Sequence, residues 1–263
     1  MNTARFAVNC SILFTELPLL ERPAAAKAAG FGAVEFWWPF DTHLPGDAEV
    51  DAFERAITDA GVQLIGLNFA AGDLPAGDRG LLSSPSTTRE FRDNIPVALG
   101  IGERLGCRAF NALYGNRVDG LRAEEQDELA AENLALAATA AGALSGVVLI
   151  EPVSGVDRYP LKTAADAVAV VDRVREQSGA IGLLLDIYHL TVNGDDVSTA
   201  ITRYADRIAH VQIADAPGRN EPGTGKIPVG QHFAELATAG YDGWIALEYK
   251  PSGSTAESFD WIR

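Results

Sequence analysis

The sequence is poor in cysteine, with only Cys10 and Cys107 and no CxxC pair among 263 residues. One disulfide between the two is conceivable, but no disulfide framework is present. The first residues, MNTARFAVNCSILF, lack the basic stretch, long apolar run and small-residue cleavage site of a secretory signal. No apolar run approaches the roughly 20 residues needed to span a bilayer. These absences predict a soluble cytoplasmic protein of a reducing compartment, with no membrane partner.

Positive charge is also scarce. The chain has 21 Lys and Arg against 36 Asp and Glu, which gives a formal net charge of -15. Such a surface repels a phosphate backbone, so nucleic acid is not an expected partner. For the same reason, an anionic substrate would need a locally positive pocket.

Apolar runs alternate with helix-like stretches along the whole chain. Eight runs predict strands, at residues 6–13, 33–38, 63–69, 108–113, 147–151, 181–187, 208–214 and 244–249. Helices are predicted between them, several ending at a glycine, at residues 16–29, 48–60, 89–105, 124–144, 163–176, 197–205 and 232–239. Strands that alternate with helices indicate a parallel sheet.

The number of strands and the chain length favour a closed (β/α)8 TIM barrel, an α/β fold of about 250 residues. An open doubly wound sheet is the alternative. It would require a glycine-rich turn after the first strand, and NCSILFTELP contains no glycine. No linker, low-complexity run or short repeat divides the chain. The sequence therefore predicts one barrel domain over residues 1–263, with a short C-terminal helix in the tail STAESFDWIR.

Four successive apolar runs each end at an oxygen-bearing side chain. The segments VVLIEP, GLLLDIYH, AHVQIAD and WIALEYKP contribute Glu151, Asp186, Gln212 and Glu248. Any one of them, taken alone, is equally well explained as a helix cap or a salt-bridge partner. In a barrel, however, the carboxyl ends of the strands surround one axis and carry the catalytic residues. Three carboxylates packed together need a counter-charge, and oxygen ligands suit Mg²⁺ or Mn²⁺ better than zinc.

Longer segments resemble the hydroxypyruvate isomerase family, within the xylose-isomerase-like barrels. They cover nearly the whole chain and include LNFAAGDLPAGDRGL, LIEPVSG, DIYHLTVNGD, HVQIADAPGRNEPGTGKI and GYDGWIALEYKP. The resemblance implies a metal held by all four residues above, with Glu151 and Glu248 also acting as an acid/base pair. It implies interconversion of hydroxypyruvate and tartronate semialdehyde through an enediol, in carbohydrate and glyoxylate metabolism. No nicotinamide or flavin is needed, and no glycine fingerprint for one is visible.

Cationic residues near the strand ends are candidates for binding the carboxylate of such a substrate. They are Arg79, His189, Arg219 and Lys250. His189 follows Asp186 by three residues, and in the wider barrel family a histidine at that position contacts substrate oxygens. The alternatives are structural: a loop histidine with its own partners, or a lysine in a salt bridge.

Two further polar residues have no clear assignment. His210 alternates with Gln212 and so points to the same face of its strand. His210 is more readily explained as a packed barrel residue than as a partner of the metal ligands. Asp215 either orients a ligand or caps the following turn.

Several rival functions share this pattern. A 2-oxo-tetronate isomerase or a ketose 3-epimerase would use the same metal and acid/base pair, although epimerising relatives usually carry His where this chain has Gln212. A repair endonuclease of this fold would need a histidine-rich zinc site and a basic face, which four histidines and a charge of -15 do not supply. A non-catalytic sugar-acid binder is less favoured, and a homo-oligomer is compatible with the sequence.

Overall fold

The centre of the protein is a barrel of short, buried parallel strands. The computed structural model describes residues 5–262, so residues 1–4 and 263 of the predicted domain lie outside it. Eight strands close into a ring in which β8 pairs with β1. They are β1 (Arg5–Asn9), β2 (Ala33–Phe36), β3 (Gln63–Asn68), β4 (Ala109–Asn111), β5 (Val147–Ile150), β6 (Ile181–Asp186), β7 (Ile208–Ile213) and β8 (Trp244–Leu247). The predicted (β/α)8 barrel is confirmed.

Helices surround the barrel and cover the outer side of the strands. They are α1 (Arg22–Ala28), α2 (Asp47–Ala60), α3 (Thr88–Leu105), α4 (Ala123–Ala143), α5 (Ala164–Arg175), α6 (Ile187–Asn193), α7 (Val197–Arg203) and α8 (Val229–Thr238). Strand β6 is buried at every position because it faces the barrel interior on one side and helices on the other.

The core between barrel and helices is tightly packed. Phe69 at the end of β3 lies against Phe91 of α3 and Phe110 of β4, with ring centroids 5.4 and 5.9 Å away. Gly102 of α3 also lies against Phe110, and only a glycine fits there, since a Cβ would lie 2.3 Å from the Phe110 ring. A close helix approach therefore holds the β4 strand in place.

The first helix is shorter than predicted. The sequence predicts a helix over residues 16–29, but the α-helix begins at Arg22, after a 3₁₀ turn at Leu19–Glu21. The reason is Pro23, which lies in the first turn of α1. Proline fits there because the first helical N–H groups have no intrahelical acceptor.

A helix that the sequence did not predict follows β6 directly. Asp186 caps α6, where its Oδ1 accepts the N–H of His189 at 2.9 Å, and Gly194 ends the helix at φ 80°. The predicted short C-terminal helix is a 3₁₀ helix, Glu257–Ile262. Its Trp261 lies against Phe233 of α8, so the tail closes the gap beside the last helix.

Neither cysteine is in a disulfide. Cys10 and Cys107 are free and buried, and burial raises the pKa of the Cys107 thiol to about 12. Across residues 5–262, none of the helices combines the length and apolar character needed to cross a bilayer.

Candidate active site

A cavity of about 150 Å³ opens where the strands end. It is lined by charged and polar side chains from several strand ends and the loops that follow them. Among them are Arg79, Glu151, Ser154, His189, Arg219 and Glu248. This is the end of the barrel at which the sequence places the active site.

The remaining predicted residues are not part of the cavity lining. Asp186 and Gln212 are buried, and they are register partners across β6 and β7. Lys250 is exposed and does not line the cavity; its backbone N–H donates to the carbonyl of Arg219 at 2.7 Å. The structure thus brings Asp186 and Gln212 next to each other and leaves the Lys250 side chain at the surface.

The two predicted acid/base residues have different partners. Glu151 accepts a hydrogen bond from Asn111 Nδ2 at its Oε1, at 2.7 Å. Glu248 accepts one from Trp37 Nε1 at 2.6 Å and pairs through Oε2 with Arg219 Nη2 at 3.1 Å.

Both carboxyls favour the protonated form more than a free glutamate does. Burial, with the negative charge of Asp186 nearby, raises the pKa of Glu151 to about 8. Burial also raises the pKa of Glu248 well above its usual range, although Arg219 opposes the shift. Burial thus favours the protonated form of both groups, which suits a role in proton transfer.

His189 presents one particular nitrogen as a donor. The backbone N–H of Ser154 donates to its Nδ1 at 3.1 Å, and Ser154 Oγ is 2.7 Å from the same atom. Because a backbone N–H can only donate, Nδ1 is an acceptor, and the neutral ring carries its proton on Nε2. Burial lowers the pKa of His189 to about 4, which keeps the ring neutral.

A cluster of possible metal ligands lies in the same place. Glu151, Asp186 and His189 each offer an atom within 4.8 Å of the others. His189 is the weakest of the three as a ligand, since its Nε2, 3.8 Å from Asp186 Oδ2, carries the proton. The better additional donor is Gln212, whose Oε1 is buried and has no hydrogen-bond partner within residues 5–262.

This set of donors fits a hard divalent cation. A buried carbonyl oxygen without a partner costs about 1–3 kcal/mol, and a cation beside Gln212 Oε1 would remove that cost. Carboxylate and amide oxygens are the donors that Mg²⁺ and Mn²⁺ take. The residues present therefore match the group that the sequence predicts.

A buried acid outside the predicted site, Glu35, contacts Gln212 inside the barrel. Glu35 of β2 accepts hydrogen bonds from Gln212 Nε2 at 2.7 Å and Asn9 Nδ2 at 2.8 Å, and its Oε2 is 2.7 Å from His210 Nε2. His210 is thus a packed barrel residue with a polar partner. The available signal was a charged residue inside the apolar run AVEF of β2.

Asp215 organises the loop that carries Arg219. Its carboxylate accepts hydrogen bonds from four backbone N–H groups, those of Ala216, Gly223, Gly225 and Ile227. Of the two roles considered for Asp215, capping the following turn is the one observed. Arg219 has a positive φ of 59°, and its guanidinium lies 5.3 Å from the Tyr188 ring.

Arg79 is held in the long loop after β3. Its Nη1 donates to the carbonyl of Leu74 at 2.9 Å, and its own carbonyl accepts the N–H of Gly115 at 2.8 Å. The neighbouring Gly80, at φ 113°, leaves no room for a side chain, since a Cβ would lie 1.9 Å from the carbonyl oxygen of Leu113. This contact fixes the loop over the end of β4.

Comparison with known proteins gives consistent matches over the whole chain. Residues 23–263 match the family model described as xylose isomerase-like TIM barrel. A putative hydroxypyruvate isomerase of Streptomyces coelicolor is 56% identical over 98% of this chain and 95% of its own length. Escherichia coli hydroxypyruvate isomerase is 32% identical over 98% of both chains. A 2-oxo-tetronate isomerase of Cupriavidus necator is 37% identical over 98% of this chain and 97% of its own.

Solved structures give the same fold. A crystal structure described as an AP endonuclease, family 2, from Brucella melitensis aligns with a TM-score of 0.89 and 33% identity, over 98% of both chains.

Proposed function

This chain belongs to the xylose isomerase-like TIM-barrel family, and we propose that it is a metal-dependent isomerase that interconverts hydroxypyruvate and tartronate semialdehyde. One observation carries the proposal. Two buried carboxyls with raised pKa values, Glu151 and Glu248, reach one cavity of about 150 Å³ from strands three apart around the barrel. Arg219 and His189 line the same cavity and supply donors for an anionic substrate.

The reaction needs a base that removes a proton from one substrate carbon and an acid that delivers a proton to the neighbouring carbon. In hydroxypyruvate, an ionised carboxylate removes a proton from C3 and an enediolate forms. A protonated carboxyl then delivers a proton to C2, and the proton of the C3 hydroxyl passes to the oxygen on C2, so that C3 becomes the aldehyde and C2 carries the hydroxyl. We assign these two groups to Glu151 and Glu248, because both line the cavity and a carboxyl can either take or give a proton.

The cation would be held by Glu151, Asp186, Gln212 and Glu248, and Mg²⁺ or Mn²⁺ fits these oxygen donors. When bound, it acts as a Lewis acid that stabilises negative charge on the substrate oxygens. Glu248 already contacts Trp37 and Arg219. Each carboxylate oxygen has a second lone pair, which leaves Glu248 able to coordinate as well.

Recognition of the substrate is assigned to the cationic and donor groups of the cavity. Arg219 Nε is buried without a partner among the described residues, so it is available to an anionic oxygen. His189 offers its Nε2–H to a substrate oxygen. Arg79 lies at the cavity wall, and exposed Lys250 contributes at most long-range attraction at the rim.

The size of the cavity favours small acids. A cavity of about 150 Å³ is smaller than the roughly 300–1,000 Å³ of a typical small-molecule site, which favours a three- or four-carbon keto acid over a hexose. The 2-oxo-tetronate isomerase at 37% identity makes a four-carbon acid the second candidate. A ketose epimerase is disfavoured, because this chain has Gln212 where epimerising relatives usually carry a histidine.

The experiment that tests the activity is proton exchange followed by NMR. The protein is incubated with hydroxypyruvate, or with a 2-oxo-tetronate, in D₂O with Mg²⁺ or Mn²⁺. An enediol enzyme forms the isomer and introduces deuterium at the reacting carbon, whereas a sugar-acid binder does neither. The substrate with the higher kcat/KM identifies which isomerase this is.

The cellular setting is also part of the proposal. Free, buried cysteines support a reducing compartment, the cytoplasm, where the enzyme would serve carbohydrate and glyoxylate metabolism. A net charge of -15 opposes nucleic-acid binding. A homo-oligomer remains a prediction that sedimentation would test.

Removing the charge of Arg219 is expected to weaken substrate binding. We expect Arg219→Ala to raise KM for hydroxypyruvate about 10–100-fold, because a hydrogen bond to a charged group contributes about 1.5–3 kcal/mol. Arg219→Lys should recover part of the loss, since it keeps the charge without the planar fork. Arg203→Ala, on the outer helix α7, is the control. An unchanged KM in Arg219→Ala would remove Arg219 from the substrate site.

Binding of the cation is expected to release protons. Since burial beside Asp186 raises the pKa of Glu151 to about 8, this carboxyl is largely protonated at pH 7 and must lose its proton to coordinate. Apparent Mn²⁺ affinity should therefore rise between pH 6 and pH 8. Calorimetry in two buffers of different ionisation enthalpy measures the proton release directly. A heat independent of the buffer would contradict a protonated Glu151 that loses its proton on binding the cation.

A further inference from the structure

Glu35 is a buried acid inside the barrel on which three side-chain groups converge. Gln212 Nε2 and Asn9 Nδ2 share its Oε1, and His210 Nε2 contacts Oε2. None of these atoms belongs to the cavity wall, and the proposed reaction does not use Glu35. A carboxylate buried under a cation site needs a reason, because burial of a charge is costly.

The amide of Asn9 is fixed independently of Glu35. Its Oδ1 accepts the backbone N–H of Ser11 at 3.0 Å, so its Nδ2 must be the group that faces Glu35. The Asn9 side chain therefore keeps its Nδ2 donor oriented toward Glu35. A carboxylate in this position acts as an acceptor toward its neighbours.

The orientation of Gln212 follows from this arrangement. The two ends of a carboxamide differ in hydrogen bonding, and only the NH₂ end can donate to a carboxylate. With Nε2 turned to Glu35 at 2.7 Å, Oε1 must point the other way, and it is this buried oxygen that has no partner in the described part of the chain. Asp186, a proposed ligand, is the register partner of Gln212.

We propose that Glu35 is a positioning residue, which fixes the Gln212 carboxamide with its carbonyl oxygen toward the divalent cation. The inference rests on the proposed metal site and adds how its neutral ligand is oriented. It also explains why the fourth ligand is an amide. A glutamate at position 212 would set one carboxylate against another at hydrogen-bond distance, and like charges in a buried site oppose each other.

The strand next to β2 is shaped to accept Glu35. Gly66 of β3 is its neighbour, and a Cβ at that position would lie 3.1 Å from Glu35 Oε2 and 3.2 Å from Glu35 Cβ. The register between β2 and β3 also shifts between Val34 and Glu35. Both features leave space for the acid at this point of the barrel wall.

The test measures cation binding rather than turnover. Glu35→Met keeps the length of the side chain and removes every acceptor, and Glu35→Gln is an isosteric change that weakens the contacts. Asn133→Asp is the matched control: Asn133 is a buried amide on α4 that donates to the carbonyl of Leu82 and to Thr88, away from the cavity. For each protein, Mn²⁺ affinity is measured by calorimetry and melting temperature is measured in EDTA.

We expect Glu35→Met to bind Mn²⁺ about 10–100-fold more weakly than wild type, the usual effect of losing a group that orients a metal ligand. The Mn²⁺ affinity of Glu35→Gln should lie between those of wild type and Glu35→Met. Asn133→Asp should lower the melting temperature and leave the Mn²⁺ affinity unchanged.

A second readout separates orientation from general destabilisation. If the Gln212 oxygen leaves the cation, water takes its place, and the relaxation of solvent protons per bound Mn²⁺ should increase in Glu35→Met. If Glu35→Met does not fold, the Mn²⁺ affinity and solvent-proton relaxation of Glu35→Gln test the role of Glu35 instead. Wild-type affinity and relaxation in every Glu35 variant that folds would overturn the role of Glu35 alone. Absence of Mn²⁺ binding by the wild type would overturn the metal site and this inference with it.

Discussion

Replacement of Glu151 or Glu248 by glutamine is expected to lower kcat by about 10²–10⁴-fold, the contribution of a positioned proton-transfer group. Glutamine keeps an oxygen that can coordinate a cation but cannot take or give a proton at neutral pH. Glu151→Gln would also keep an acceptor for Asn111 Nδ2, and Glu248→Gln one for Trp37 Nε1. Turnover should therefore fall much more than Mn²⁺ affinity.

The two variants also distinguish a shared role from a single proton carrier. If each glutamate moves one proton, both variants lose isomerisation. If one moves both, only its variant stops exchange of the substrate C–H into D₂O, and the other weakens metal binding. Glu128→Gln, the same change at an exposed position of α4, is the control. Turnover within about tenfold of wild type in both site variants would contradict the acid/base assignment.

The parts of this protein that were predictable from sequence depend on local patterns. Strands that are buried on both sides appear as uninterrupted apolar runs, so their order and number could be read directly. A polar residue that ends such a run lies at the barrel mouth. That is why Glu151 and Glu248 could be placed beside one cavity.

The parts that were missed depend on contacts between distant residues. Glu35 meets His210 and Gln212 across 175 and 177 residues of chain, and no local pattern indicates which buried acid will face which amide. Helix α6 lies outside the predicted helices, although its cap, Asp186, and its terminal Gly194 are standard boundary signals. For Asp186 the sequence offers a helix cap and a metal ligand as alternatives; its Oδ1 caps the helix, and its carboxyl also lies in the cluster with Glu151 and His189.

The direction of a side chain beyond the end of a strand is equally hard to predict. Strand β8 ends at Leu247, and after it the alternation of inward and outward residues no longer applies. Tyr249 is fully buried and Lys250 is exposed, while Glu248 lines the cavity. Nearness in sequence to a strand end therefore identified Lys250 as a candidate without showing where its ammonium lies.

Removal of divalent cations is expected to abolish activity, and Mg²⁺ or Mn²⁺ is expected to restore it. The physical reason is the charge balance of the site. Glu151, Asp186 and Glu248 are all buried, and Glu151 lies in one cluster with Asp186 and lines one cavity with Glu248. Without a cation, burial raises the pKa of Glu151 to about 8. A proton then takes the place of the metal charge, and the pair loses an ionised base together with the group that stabilises the enediolate.

The same charge balance makes the effect of cation removal on stability depend on pH. Because the folded pKa of Glu151 is raised above its unfolded value, the stabilisation from its protonated form is present at low pH and is lost as pH rises through about 8. Protein in EDTA should therefore melt at a lower temperature at pH 9 than at pH 6, and added Mn²⁺ should raise the melting temperature more at pH 9. At a free concentration of 100 Kd, a ligand stabilises by about 2.7 kcal/mol.

Ca²⁺ tests the requirement for a small cation, since it is larger than Mg²⁺ and takes more ligands. Full turnover in a rigorously metal-free preparation would contradict both the metal site and the mechanism built on it.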